Sequence, residues 1–468
     1  MALKIYDTMA RAEREFKPLK GNRVTMFVCG PTVYDLSHIG HARTYVAYDI
    51  IARFLKALGY SVFFLMNITD VDDKIINRAK ELNVSPFELS RRMTEEFFKD
   101  MEAINVSSVN LYAKASEHVQ EIIQQISVLM EKGYAYAVDG DVYFDISRFP
   151  EYGKLSHQKP EELVKHRIEP NPKKRNPGDF SLWKGRKLGE PYWESPWGKG
   201  RPGWHIEDTA ITHTYFGPQY DIHGGAVELV FPHHEAEIAQ SEAATGVKPM
   251  VNFWVHTGIL KIRGRKMSKS LKNYITIRDA LKMCSPDGLR VFFASSHYRS
   301  PIDFNEESLS QAESTARNLR RVYRKVSSLL KRAAPGGSPR SRAELEAFRK
   351  EFYEAMEDDF NTPRALAVLV KFAKAVDPRV SEATAKEELE EILKLLKEFF
   401  SILGLFEREE EGRGEEETVA GLVNLILEVR EELRRRGDWE LADRIRGGLR
   451  KIGFAVEDTP EGPRWFKV

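Results

Sequence analysis

The sequence predicts an α/β protein built on a parallel sheet, and two observations carry that prediction. A short apolar run, VTMFVC from Val24 to Cys29, is broken by Gly30-Pro31 and followed by an amphipathic stretch from His41 to Leu58. Gly59 stops that stretch, and a second apolar run, SVFFLMNIT from Ser61, begins. Ala47, Ile50, Ile51, Phe54 and Leu55 recur at helical spacing, so the middle segment reads as a helix. Strand, helix and strand in this order make a βαβ unit, because parallel strands need a crossover that a helix supplies.

The remaining elements follow the same logic. Residues 75–133 read as helical, and DGDVYFDI from Asp139 as a hairpin-like strand. From Glu151 to Gly203 the chain is rich in Pro, Gly, Lys and Trp and reads as an inserted subdomain of loops. Strand patterns return at YDIHGG and NFWVHTGIL, which are expected to complete the sheet. From Glu306 the pattern is helical almost throughout, with APGGSP as a turn between helices. EREEEGRGEEE, Glu407 to Glu417, reads as a charged linker before a last small module. There is no internal repeat.

Composition bounds the function. At 468 residues the chain is too long for one ordinary core, and 42% hydrophobic content is ample for several. With 71 basic and 70 acidic residues the net charge is +1. A wholesale basic footprint is excluded, so nucleic-acid contact must rest on local patches. Two cysteines, Cys29 and Cys284, make no disulfide framework and point to a reducing compartment. No apolar run approaches a membrane span and the first residues lack a secretory apolar core, so a cytoplasmic location is expected.

Two short stretches carry chemistry. Ser37-His38-Ile39-Gly40-His41 lies at the junction of a strand and a helix. Helix N-termini attract phosphate, Gly40 permits close approach, and the two imidazoles can bond phosphate oxygens. A plain capping role for the two histidines stands beside that reading. In KIRGRKMSKSLKN, Lys261 to Asn273, Lys266 and Lys269 flank a Met-Ser pair and can neutralise a leaving pyrophosphate. A solvated basic loop is the plain alternative.

HIGH followed by KMSKS is the signature pair of class I aminoacyl-tRNA synthetases. Within that class the chain resembles the cysteinyl-tRNA synthetase family over essentially its full length. FVCGPTVYDLSHIGHAR, NITDVDDKII, KKRNPGDFSLWK, SPWGKGRPGWHIE, YDIHGG, FPHHEAEIAQSEA, HYRSPIDF and the tail from DWELADRIRGG carry the resemblance. It implies a Rossmann-type catalytic domain, 1–120 and 201–258, split by an inserted connective subdomain, 121–200. A stem-contact region with the KMSKS loop, 259–310, a helical bundle, 311–405, a charged linker, 406–417, and an anticodon-binding module, 418–468, would follow.

The resemblance also implies site residues and partners. ATP with Mg²⁺ would bind at Pro31, Thr32, Gly40, His41 and Lys269, with His38, His41, Lys266 and Lys269 catalytic. A zinc ion would grip the substrate thiolate, which a serine hydroxyl cannot match as a soft ligand. Cys29, His233 and Glu237 map onto zinc ligands; the last two, at i and i+4, share a helix face. Thr69, Trp204, His223 and Glu228 map onto the amino-acid pocket, and Arg434, Trp439, Asp443 and Asp458 onto positions that read the anticodon of tRNA(Cys). A monomer is expected.

The chain departs from its family at the metal. Where the family reads GWHIEC this sequence reads GWHIED, so Asp208 stands in for a thiolate. Ala226 and Glu228 replace the family's Gly and Asp nearby, and Ala236 its Asn. A carboxylate can ligate zinc, but the donor set is harder and less selective for that ion. Two readings stand at this point: a working cysteine enzyme whose site accepts aspartate, or a relative with another amino acid or no metal. A ligase that joins an activated amino acid to a small amine would have no use for an anticodon module. An inactive RNA-binding relative would have no chemical reason to keep both HIGH and KMSKS.

Overall fold

The computed structural model describes residues 2–157, 172–267, 273–336, 342–407, 413–459 and 462–467. The chain forms two compact units, Met1–Glu407 and Arg408–Val468.

The first unit opens with an antiparallel pair, β1 (Lys4–Asp7) and β2 (Ala12–Glu15). The expected βαβ unit follows as β3 (Arg23–Val28), α1 (Ile39–Ala57) and β4 (Ser61–Ile68). Two helices come next, α2 (Asp73–Leu82) and α3 (Pro86–Ala103). Asp72 and Ser85 cap them by accepting from the backbone N–H of Lys74 and Glu88, and Asn83 ends α2 in the left-handed region at φ 55°.

Residues 75–133 are not helical throughout. β5 (Leu111–Lys114) interrupts them, pairing with β4 from Leu65↔Leu111 to Ile68↔Lys114, before α4 (Val119–Glu131). A four-residue edge strand has too few apolar positions to show a period. The stretch expected as loops also holds strands. After the hairpin β6 (Ala135–Val138) and β7 (Asp141–Phe144), β8 (Phe180–Gly185) and β9 (Gly200–Pro202) complete a four-stranded antiparallel sheet. Leu182 and Trp183, both fully buried, seat that sheet in the core, which explains why so polar a segment folds.

The chain then returns through α5 (Trp204–Phe216), β10 (Tyr220–Ala226), α6 (Glu235–Thr245) and β11 (Val251–Thr257). β11, β10, β3, β4 and β5 form one parallel sheet in that order. Alternate residues of β3 serve opposite faces, as a pleat with period two requires. Met26 and Val28 pack with α1 and the helices beyond residue 306, while Phe27 and Cys29 pack with α4, α5 and α6. The strand order reverses between β3 and β10. In open sheets of this kind ligands bind outside the carboxyl ends of the strands at that point.

A small sheet of β12 (Leu260–Ile262), β13 (Arg265–Lys266) and β14 (Ile302–Phe304) follows. Helices Glu306–Leu330, Arg342–Glu357, Thr362–Val376 and Lys386–Leu403 then form a bundle. No described helix is long and apolar enough to cross a membrane.

The second unit holds helices Arg413–Arg435 and Trp439–Lys451 and the hairpin β15 (Phe454–Thr459) and β16 (Gly462–Lys467). Its first helix begins inside the stretch expected as linker, because Glu-rich sequence with few breakers favours helix as readily as a solvated coil. Val423, Leu427, Leu449 and Val456 form its own core.

Candidate active site

Cys29 leaves the end of β3, its N–H donating to the carbonyl of Gly224 on β10 at 3.0 Å. That places its thiol at the reversal point of the sheet. Two ligand quartets converge on it: Cys29, Asp208, His233 and Glu237, and Cys29, His223, His234 and Glu237. All are buried. Cys29 Sγ stands 3.4 Å from Asp208 Oδ2, 3.5 Å from His223 Nε2, 3.1 Å from His234 Nε2 and 4.0 Å from Glu237 Oε1. His233 Nε2 lies 3.0 Å from Asp208 Oδ2 and 2.9 Å from Glu237 Oε1.

The helix geometry explains the convergence. His233 and Glu237 stand one turn apart at the start of α6, while Asp208 faces them from α5. The structure thus brings together all four expected ligands, and it adds His223 and His234. His223, expected in the amino-acid pocket, lies beside the expected ligands, with Nε2 3.2 Å from Glu237 Oε2. The adjacent pair His233-His234 was the signal in sequence that a second imidazole belongs here.

Each of the three imidazoles is held from behind. His233 Nδ1 meets His205 Nδ1 at 2.8 Å, His234 Nδ1 meets His256 Nε2 at 2.8 Å, and His223 Nδ1 meets the Tyr220 hydroxyl at 2.6 Å. Every Nε2 therefore faces the thiol and carboxylates, the outer arrangement that metal-bound histidines require. The ring of Trp204 stacks on His233 at 4.3 Å. His205, His256 and Tyr220 were not singled out in sequence because their ring contacts to the cluster come from side chains distant along the chain or outside any ligand spacing.

The electrostatics ask for a cation. Burial, then the charges of Glu237 and Asp208, push the Cys29 thiol well above its usual range. Burial likewise lifts Glu237, against the pull of His233. His233 is held up in its charged form by Glu237 and Asp208 despite burial. Burial keeps His205, His223 and His234 neutral, the form that ligates. Glu237 Oε2 is buried and makes no hydrogen bond among the described residues. A divalent ion fits these residues: it would draw the thiol and carboxylates into their charged forms and engage that oxygen, which has His223 Nε2 as its near polar neighbour at 3.2 Å.

The HIGH turn leaves the same strand. His38 caps α1, its Nδ1 accepting from Gly40 N–H at 3.1 Å and His41 N–H at 3.2 Å. His41 Nδ1 in turn lies 3.4 Å from His38 N–H. The plain capping role is therefore realised, and it serves the chemical one. With Nδ1 of each ring accepting, a neutral imidazole carries its proton on Nε2 and presents a donor. Burial and the neighbouring His38 keep His41 well below the usual histidine range, so it is neutral. The rings stack at 3.7 Å.

The chain after KMSKS is laced to this turn. Ile39 N–H donates to Ile275 C=O at 3.1 Å and Ile277 N–H to Ser37 C=O at 2.9 Å. Tyr274 hydroxyl donates to Leu36 C=O at 2.9 Å. Lys266, on β13, pairs with Glu228. Lys269 lies outside the described residues. Pro31 and Thr32 run beside Thr69, whose N–H donates to Pro31 C=O at 3.1 Å, and the Thr69 hydroxyl donates to Glu207.

Residues 15–314 match the model of the class I tRNA synthetase (C) catalytic domain, 351–407 the DALR domain, and 419–465 the cysteinyl-tRNA ligase anticodon binding domain. The chain is 46% identical over 484 residues to the cysteine–tRNA ligase of Thermococcus gammatolerans, and 45% over 481 residues to that of Heliobacterium modesticaldum. Both alignments cover 100% of each chain. The chain belongs to the cysteine–tRNA ligase family.

Solved synthetase structures share the fold. Mycobacterium tuberculosis methionyl-tRNA synthetase in complex with methionyl-adenylate superposes with a TM-score of 0.61 at 16% identity, covering 82% of this chain and 92% of that one. The LeuRS of Agrobacterium radiobacter K84 gives 0.59 at 11%, covering 84% and 86%.

The module matched as anticodon-binding places three of four expected residues together. Arg434 Nη1 lies 2.9 Å from Asp458 Oδ2, and its guanidinium stands 5.5 Å from the Trp439 ring, which is 59% exposed. Asp443 is exposed on helix Trp439–Lys451. The buried Arg430, not singled out in sequence, grips Asp458 through two bonds of 2.7 and 2.9 Å.

Proposed function

We propose that the chain activates cysteine with ATP to form cysteinyl-adenylate and passes the cysteinyl group to the terminal ribose of tRNA(Cys). The observation that carries this reading is a buried thiol, carboxylate and imidazole cluster on the same strand end that leads into HIGH. The family match supplies the tRNA.

In the first step the substrate carboxylate attacks the α-phosphate in line and pyrophosphate leaves. His38 and His41, each presenting Nε2–H, donate to phosphate oxygens as their charge grows, beside the positive end of α1. Lys266 and Lys269 neutralise the departing pyrophosphate together with the Mg²⁺ that accompanies ATP. The pairing of Lys266 with Glu228 supports a loop that exchanges one anion for another. Thr69, Trp204, His223 and Glu228 line the amino-acid pocket.

Cys29, Asp208, His233 and Glu237 would hold a divalent ion, zinc in the family's pattern although the carboxylates make this donor set less selective for it, and that ion would supply the soft affinity for sulfur that favours cysteine over serine. In the second step the ribose hydroxyl attacks the activated carbonyl, the ester forms as the acyl–phosphate bond breaks and AMP leaves, with 259–310 against the acceptor stem and 418–468 on the anticodon. Arg434 and Trp439 offer stacking surfaces, and Asp443 and Asp458 accept from base amino groups.

Charging of a tRNA(Cys) transcript with labelled cysteine tests this reading. Cysteine-dependent, ATP-dependent labelling is expected, and labelling of no tRNA(Cys) would overturn it.

A further inference from the structure

We propose that Asn67 is a positioning residue that ties up one oxygen of Asp208, so that this carboxylate offers a single donor atom, Oδ2, to the ion. The inference rests on the reading of Asp208 as a ligand and concerns what makes aspartate workable there.

Asn67 is buried near the end of β4. Its Oδ1 accepts the N–H of Gly30 at 2.6 Å. A backbone N–H can only donate, so this bond fixes which end of the amide is oxygen. The amide nitrogen must then face the other way, and it donates to Asp208 Oδ1 at 2.6 Å. A weaker approach, 3.4 Å, reaches the Thr69 hydroxyl. Asp208 Oδ2 is left toward Cys29 Sγ at 3.4 Å and His233 Nε2 at 3.0 Å. The two carboxylate oxygens are thereby sorted, one to the amide and one to the ligand cluster.

The arrangement cannot slide. Asn67 is paired across the sheet with Ala113 of β5. Gly30 is pressed so closely on it that a Cβ there would sit 1.7 Å from the Asn67 carbonyl oxygen. These contacts hold the Asn67 backbone, and the Gly30 N–H bond aims its side-chain amide, the post against which Asp208 rests.

The chemistry explains why a post is needed. A thiolate has one donor atom and needs no sorting. A carboxylate has two and can close on an ion with both, which would consume the position a substrate sulfur requires. Asn67 removes that option by engaging Oδ1. It also limits how far the exchange of sulfur for oxygen disturbs the site.

The test is a two-by-two set: the parent, Asn67→Ala, Asp208→Cys and the double variant. The probes are zinc affinity against a chromophoric chelator and the visible d–d absorption of the cobalt-loaded protein, with and without cysteine. With Asp208 present, Asn67→Ala is expected to weaken zinc binding ~10–100-fold, as loss of an outer partner does. It should also lower the cobalt absorption, since an added oxygen donor takes the ion away from tetrahedral, and cysteine at parent-saturating concentration should no longer shift the bands. With Asp208→Cys in place, Asn67→Ala should change neither readout. Equal losses in both backgrounds would show that Asn67 acts only as scaffold through Gly30, and no loss in either would show that it does not act; both overturn the proposal. Asn67→Leu, which nearly keeps the side-chain volume and has no donor, should reproduce the loss if Asn67→Ala does not fold, with the Asp208→Cys background again separating it from the loss of the Gly30 contact. A parent that takes up neither ion would overturn the ligand reading itself, and the proposal with it.

Discussion

Cys29 Sγ and Asp208 Oδ2 stand 3.4 Å apart at the carboxyl end of the parallel sheet, a thiol facing a carboxylate inside the core. Without an ion, burial first and then the carboxylates of Glu237 and Asp208 oppose ionisation of the thiol. A divalent ion reverses the relation, because both groups then bind it in charged form. Cys29→Ala is therefore expected to remove bound zinc, read by elemental analysis. The same variant should lower cysteine-dependent adenylation at least ~100-fold while the KM for ATP stays within about twofold.

His38 does two jobs that substitution can separate. Asparagine is as good a helix cap as any residue, so His38→Asn should keep the melting temperature close to that of the parent. It lacks the Nε2 donor, so the adenylation rate should fall ~10²–10³-fold, as for loss of one transition-state donor. Rapid-quench measurement of adenylate formation beside a thermal melt reads both. A stable variant of unchanged rate would leave His38 a cap and nothing more.

Asp49 and Arg290 hold α1 to helix Pro286–Ala294 through a buried ion pair of 2.7 Å. Burial alone would raise the Asp49 pKa, but Arg290 and Arg53 outweigh it and hold the carboxyl below its usual range. A depressed carboxylate pKa stabilises the fold above the unfolded value, near pH ~4, and the contribution is lost as pH falls through the lower folded value. The parent should thus lose more stability on acidification below pH ~4 than Asp49→Asn does. Asp49→Ala, which leaves Arg290 buried without its carboxylate, should cost ~3–5 kcal/mol in denaturant unfolding at neutral pH.

Trp439 offers an exposed ring beside Arg434. Stacking on a base contributes ~1–3 kcal/mol, so Trp439→Ala should raise the KM for tRNA(Cys) about tenfold. Pyrophosphate exchange, which needs no tRNA, should be unaltered. A fall in exchange would place Trp439 in the stability of the chain and not at the anticodon.

The sheet was legible where physics writes it locally. β3 and β4 are apolar runs bounded by breakers, β10 and β11 show mixed strand patterns at YDIHGG and NFWVHT, and α1 shows its period. β5 was not, because Leu111–Lys114 is too short to show one. β8 and β9 hide among prolines and lysines, with Leu182 and Trp183 as their anchors. Cys29, His233 and Glu237 were reached by resemblance, and Asp208 as its exception. Asn67, His205 and His256 were not, since their meaning lies in partners distant in sequence: Asp208 is 141 residues from Asn67. A motif names what touches the substrate, whereas the groups that aim it appear only once the chain is folded.

The most direct measurement is ATP–pyrophosphate exchange with each of the twenty amino acids on protein whose metal content has been determined. The expected result is exchange with cysteine alone, on protein carrying one equivalent of zinc. Exchange with a different amino acid, or none with cysteine on metal-free protein that takes up no zinc, would contradict the assignment of this site to cysteine.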